Sequence, residues 1–218
     1  LAPVDNLQKL QPAEVQKVKE AIKQTNPSLT DDRIKVALDG SAIISLSDGS
    51  VKNFAANELV TQSQASMTDL VIPTTKVPVK DPANLSDDDK KAVVDQIRKD
   101  NPNLPGGEKT QIEVSADGSA TITYPDGTKD EVPGTDLVKE ADSNYKFNTE
   151  TNTKVPVKDT TKLTDEEKQA VVDQIRKDNP ALPGGDQTQI TIENDGTAKI
   201  AYPDGTKDEV PGTDLVKE

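Results

Sequence analysis

The 218-residue sequence has no Cys, no His, no Trp and a single Met. Without Cys no disulfide can form. Without Cys and His together, zinc sites of the usual kind, Cys–His and Ser–His–Asp nucleophile systems and imidazole acid–base chemistry are excluded. An enzyme made from this chain would have to work with carboxylates, Lys or Ser alone. Aromatic residues are equally scarce, with two Phe and three Tyr, and hydrophobic residues make up 32%. That composition does not supply one core of ordinary size for a chain of this length, so several small cores are expected.

Long apolar runs are missing too. None approaches the roughly 18 residues of a membrane span, and the opening LAPVDNLQ has neither the basic nor the apolar part of a signal peptide. Basic charge is outnumbered, 26 Lys and Arg against 39 Asp and Glu, for a net charge of -13. Attraction to phosphate backbones or anionic lipid is therefore disfavoured, and neither nucleic acid nor membrane insertion is expected. The lack of Cys fits a cytosolic chain as well as a surface protein that avoids thiols.

What the sequence does contain is repetition. YPDGTKDEVPGTDLVKE occurs word for word at 124–140 and 202–218. The longer stretches 76–140 and 154–218 align without a gap, with 48 of 65 positions identical. A diverged third copy opens the chain: Leu10, Val18, Ile22, Asn26-Pro27 and Leu29 match Leu85, Val93, Ile97, Asn101-Pro102 and Leu104. After a three-residue deletion, Asp39-Gly40 and Asp48-Gly49 match Asp117-Gly118 and Asp126-Gly127. The predicted division is repeat units at 1–60, 76–138 and 154–216, separated by linkers at 61–75 and 139–153. The linkers are equal in length, unrelated in sequence and polar, the first with a predicted strand at DLVI, residues 69–72.

Within a unit, KVPVKD alternates around a Pro, which suits an edge strand. Ser86 with Asp89, and Thr164 with Glu167, form capping boxes that start a helix, with acidic residues at its positive end and Arg98-Lys99 at its negative end. Asn101-Pro102 stops it. TQIEVSADGSATITYPDGTKDEV then alternates around two Asp-Gly pairs, the pattern of tight hairpins. The predicted fold is α+β: three tandem small repeat domains, each an edge strand, one helix and a three-stranded antiparallel meander, arranged as beads on a string.

No catalytic, cofactor-binding or metal-ligating residue is assigned. The runs at Asp87 to Asp89 and Asp165 to Glu167 read as helix capping, because consecutive helical residues point to different faces and do not converge on one ion. LPGGE at 104–108 lacks the Lys-Ser/Thr of a phosphate loop and reads as a connection. A Lys–Asn or Lys–Asp isopeptide crosslink would need apolar burial that such small units scarcely provide.

The YPDGTKDEV element resembles the YPDGT-type strand of Rib and alpha-like repeats. KVPVKDPANLSDDDKKAVVDQI with the later VPGTDLV resembles the longer tandem repeats of cell-wall-anchored surface proteins of Gram-positive cocci. These motifs cover nearly all of units two and three, while unit one matches in outline. The short Rib domain is all-β and has no helix, so only the strand motif carries over. The resemblance implies a non-enzymatic extracellular stalk or spacer of an adhesin, an elongated monomer that projects a binding head. No LPXTG-like signal is present, so wall attachment would run through a C-terminal region outside this chain. The rival reading is a binding module, in which the repeats themselves hold a host protein or glycan multivalently.

Overall fold

A computed structural model describes residues 1–148 and 153–218. The chain forms two compact units. The first comprises residues 1–74, 90–115 and 119–137, and the second residues 75–89, 116–118 and 138–218. The first repeat lies wholly in unit one and the third wholly in unit two, while the middle repeat contributes residues to both.

In the first repeat an opening strand, Ala2–Val4, precedes a 14-residue helix, Pro12–Thr25. A three-residue 3-10 turn, Asp31–Arg33, leads into an antiparallel meander of Ile34–Val36, Ala42–Ser45 and Val51–Phe54. The third repeat has the same parts: Val155–Pro156, the helix Asp165–Asp178, and strands Gln189–Ile192, Ala198–Ala201 and Lys207–Val210. In the middle repeat the helix is Asp87–Asp100 and the meander is Gln111–Val114, Ala120–Thr123 and Lys129–Val132. Three repeats of edge strand, helix and antiparallel sheet therefore fill the chain.

The core follows the apolar periodicity. Helix residues Val18 and Ile22 meet Ile34, Ala42 and Ile44 of the first meander, with Val4, Leu10 and Val60 completing the cluster. Val171 and Ile175 do the same with Ile192, Ala198, Ile200, Tyr202 and Val210 in the third repeat. Burying each such side chain is worth about 1.5–3 kcal/mol, enough for a small core but without surplus.

One pairing lies outside the predicted pattern. The opening strand does not join the meander; it pairs in parallel with a closing strand at the far end of its own repeat. Ala2 to Val4 align with Val60 to Gln62, Val77 to Val79 with Val138 to Glu140, and Val155 and Pro156 with Val216 and Lys217. Each strand in these pairs has a free edge, which tolerates Pro3, Pro78 and Pro156. The closing strands run through Gln62 and Glu140, residues whose polarity reads as linker because only one side of such a strand is covered.

The predicted strand at residues 69–72 does not form, and the segment is irregular. Its backbone finds a side-chain partner instead of a sheet, as described below. The predicted linker at 139–153 lies partly outside the described residues.

The Asp-Gly turn between the first two meander strands lies under the closing strand. Gly118 has φ 83°, and a Cβ there would stand 2.8 Å from Val138 Cγ2; Gly40 and Gly196 lie under Val60 and Val216 in the same way. Gly127, in the second Asp-Gly turn, has φ 84°, and a Cβ there would meet nothing within 4 Å.

Candidate functional site

The acidic runs cap helices. Ser86 N–H donates to Asp89 Oδ2 and Asp89 N–H to Ser86 Oγ, both at 3.1 Å. Thr164 N–H donates to Glu167 Oε1 at 2.8 Å, Glu167 N–H returns to Thr164 Oγ1 at 3.1 Å, and Lys158 N–H donates to Glu167 Oε2 at 2.8 Å. Among the described residues no group of three or more acidic side chains is placed to hold a metal ion.

The LPGG connection is tied back to the helix before it. Its carbonyls turn to an arginine: Arg98 donates to the Gly107 and Thr110 carbonyls at 3.3 and 2.6 Å, and Arg176 to those of Gly185 and Thr188 at 3.0 and 2.6 Å. Lys168 Nζ donates to Asn194 Oδ1 at 2.8 Å in an exposed contact, without the apolar burial that shifts a lysine toward an isopeptide crosslink.

The more telling cluster is where the segment after one repeat meets the second Asp-Gly turn of the next. In unit one, the segment after the first closing strand makes a single helical turn, Gln64–Met67. Gln64 N–H donates to Asp126 Oδ2 at 2.7 Å and Ala65 N–H to Thr128 Oγ1 at 3.1 Å. Asp126 Oδ1 is held by the Thr128 N–H at 2.9 Å and the Thr128 hydroxyl at 2.5 Å, so the carboxylate is fixed before it accepts the incoming N–H.

Unit two repeats this joint. Asp142 N–H donates to Asp204 Oδ2 at 2.7 Å and Ser143 N–H to Thr206 Oγ1 at 3.1 Å, and Thr206 holds Asp204 Oδ1 as Thr128 holds Asp126. Each of the four residues stands one full repeat after its counterpart, in unbroken register. Lys139 Nζ adds a charge 3.5 Å from Asp204.

A second clamp lies at the end of the long helix. Asn101 Nδ2 donates to the Ile97 carbonyl, four residues back, while its Oδ1 accepts the Val71 N–H at 2.8 Å. Asn179 caps Ile175 in the same way, and its Oδ1 accepts Asn148 N–H at 2.9 Å and the Tyr145 hydroxyl at 3.2 Å. Tyr145 and Phe147, edge to face at 5.4 Å, pack against the third repeat's core.

The electrostatics match the geometry. Burial pushes the Asp126 and Asp204 carboxyls up, but hydrogen bonds from the Thr hydroxyls and from linker and turn N–H groups outweigh it and hold both below the ordinary value of 3.8. Burial, then the hydrogen bond to Asp130, drives the Tyr124 phenol upward; Tyr202 rises for the same reasons with Asp208. These phenols donate to Asp130 Oδ2 and Asp208 Oδ2 at 2.8 and 2.7 Å.

Composition does not reveal these joints, because the linker is held chiefly through backbone N–H groups, which any residue but Pro supplies; in unit one Gln64 adds a side-chain contact, its Oε1 accepting the Asp126 N–H at 3.1 Å. The signal available in sequence is length: two linkers of unrelated sequence and equal length keep one register.

The family model described as "Atypical Rib domain" matches residues 2–63, 68–141 and 147–218. Over 58 residues the chain is 43% identical to a streptococcal hemagglutinin of Streptococcus gordonii, a match spanning 27% of this chain and 3% of that protein. Among solved structures, the sialic acid binding region of a Streptococcus sanguinis adhesin covers 81% of this chain and 74% of its own, at 15% identity and TM-score 0.34. The SrpA adhesin of the same species covers 48% and 51%, at 29% identity and TM-score 0.36.

Proposed function

The chain belongs to the atypical Rib domain family, and from that we propose that it is a non-enzymatic extracellular spacer of a bacterial surface adhesin, attached to the cell wall through a region outside this sequence. Its task is geometric: each repeat adds a fixed length, and each joint limits how the next repeat follows. Kinship with a streptococcal hemagglutinin supports the surface-adhesin setting. The observation that carries the spacer reading is the joint made twice, one repeat apart, through backbone N–H groups. A linker held by its backbone can change sequence while the spacing stays the same. Net charge of -13 keeps neighbouring copies apart.

Solution scattering of the full chain tests this. A monomer whose radius of gyration lies well above the roughly 17 Å of a compact chain of this length is expected. A value at that compact limit would sink the spacer reading. The binding-module reading is tested on the same protein by capture of host plasma proteins and by a sialylated glycan array; specific capture would move the repeats from spacing to adhesion.

A further inference from the structure

The joint has an acceptor side and a donor side, and the acceptor side exists three times. In the second and third repeats it consists of the Asp-Gly turn carboxylate, the hydroxyl two residues on, the helix-ending Asn and the buried Tyr before the turn. The first repeat carries the first three of these as Asp48, Ser50 and Asn26, with Leu46 in place of the Tyr.

Asp48 is prepared as its counterparts are. Its Oδ1 accepts the Ser50 N–H at 2.9 Å and the Ser50 hydroxyl at 2.5 Å, leaving Oδ2 facing outward. Asn26 Nδ2 donates to the Ile22 carbonyl at 3.2 Å, the same cap made by Asn101 and Asn179. Among the described residues nothing donates to Asp48 Oδ2 or Asn26 Oδ1.

Exposure separates the three sites. Tyr124 and Tyr202 are 2% and 4% exposed, while Leu46 in the same position is 38% exposed. Asn101 and Asn179 are buried, but Asn26 is exposed. Beside Asn26 runs an open groove lined by Val18, Ile22, Phe54 and Leu59. In the third repeat the residues equivalent to Val18, Ile22 and Leu59 are Val171, Ile175 and Leu215, part of the core against which Tyr145 and Phe147 pack.

We propose that this face of the first repeat is an unfilled joint, and that its occupant is a linker of the same class, supplied in cis by a domain that precedes the first repeat. The chemistry of the occupant follows from the two filled joints. It offers two successive backbone N–H groups at a helical turn to Asp48 and Ser50, then an extended backbone N–H to Asn26. The proposal concerns the face itself and stands whether or not the chain is a spacer.

The test adds a second copy of residues 61–75 directly ahead of Leu1, in the register that segment has ahead of Lys76. Amide hydrogen exchange is then read by NMR on the full chain, with the native joint at Gln64 and Val71 as the internal control for folding. The added copies of the Gln64, Ala65 and Val71 amides should exchange at least about tenfold more slowly than in a free peptide. Asp48→Asn, which keeps the turn but replaces the outward oxygen with an amide donor, should remove the protection at the Gln64 copy. Exchange at free-peptide rates with the native joint intact would overturn the proposal, as would protection unchanged by Asp48→Asn. Sedimentation of the unaltered chain covers the other occupant: a concentration-dependent dimer lost on Asp48→Asn would assign the face to a second copy and refute the linker.

Discussion

Asn101 pairs with Val71 as one strand residue pairs with another. Its Oδ1 accepts the Val71 N–H at 2.8 Å and its Nδ2 donates to the Val71 carbonyl at 2.9 Å. A single side chain thus replaces the sheet partner that the DLVI segment lacks, and the same amide group caps its own helix at Ile97.

Asn101→Ala should therefore release the segment and uncap the helix together. The bonds to Val71 are only part-buried and the Ile97 carbonyl keeps the backbone N–H of residue 101, so each lost side-chain bond costs about 0.5–1.5 kcal/mol. Amide exchange at Val71 should accelerate strongly, while protection of the third repeat's meander stays unchanged. Equal loss throughout the chain would show that Asn101 supports the whole fold and not the clamp.

Acid should open the joints before it unfolds the repeats. Asp126 and Asp204 are held below their ordinary value of 3.8, so their contribution is complete above that value and fades as pH falls through the lower folded value. Protection at Gln64 and Asp142 is expected to be flat down to about pH 4 and to decline below it. In Asp126→Asn, exchange at Gln64 should be roughly five- to tenfold faster at neutral pH, the equivalent of about one net hydrogen bond.

Tyr124 and Tyr202 should resist base. Ionising either phenol would put a buried negative charge against Asp130 or Asp208, so the folded protein keeps them neutral beyond the ordinary value of 10.0. Unfolded chains ionise first, so the stabilisation is present below pH 10 and is lost as pH rises further. In a Tyr145→Phe background, phenolate absorbance should appear only together with loss of the far-ultraviolet circular dichroism. A phenolate signal from intact protein near pH 10 would contradict the assigned hydrogen bonds.

The two Asp-Gly turns should differ in their tolerance of Ala. Gly127→Ala meets no neighbour and bears only the left-handed backbone cost, about 1–2 kcal/mol. Gly118→Ala bears that cost and also drives a methyl into Val138, adding about 1–3 kcal/mol. Denaturant midpoints of the two variants give the ranking directly, and equal midpoints would mean that the closing strand yields freely.

Much of each repeat was legible in the sequence because local chemistry and burial agreed there. Ser86 and Asp89 bond as a capping box predicts, and Ile112 alternates with polar residues as a meander strand does. The closing strands were hidden because their partners stand at the opposite end of the repeat and three residues such as Val60 to Gln62 are too few to show an apolar alternation. The joints were hidden for a different reason: Asp126 and Asp204 already have a complete explanation as turn residues, through Thr128 and Thr206. The connection is carried by the second oxygen of each carboxylate together with the hydroxyl of the Thr two residues on.

The parallel pairing of opening and closing strands has a further consequence when the two ends of a repeat are pulled apart. Chain enters at the start of one strand and leaves at the end of its parallel neighbour, so traction slides the pair lengthwise instead of peeling it open. Ala2 to Val4 against Val60 to Gln62 would carry such a load on all of their ladder bonds at once. An antiparallel pair at the same place would surrender its bonds one by one. Each repeat is thereby latched at the point where tension enters it.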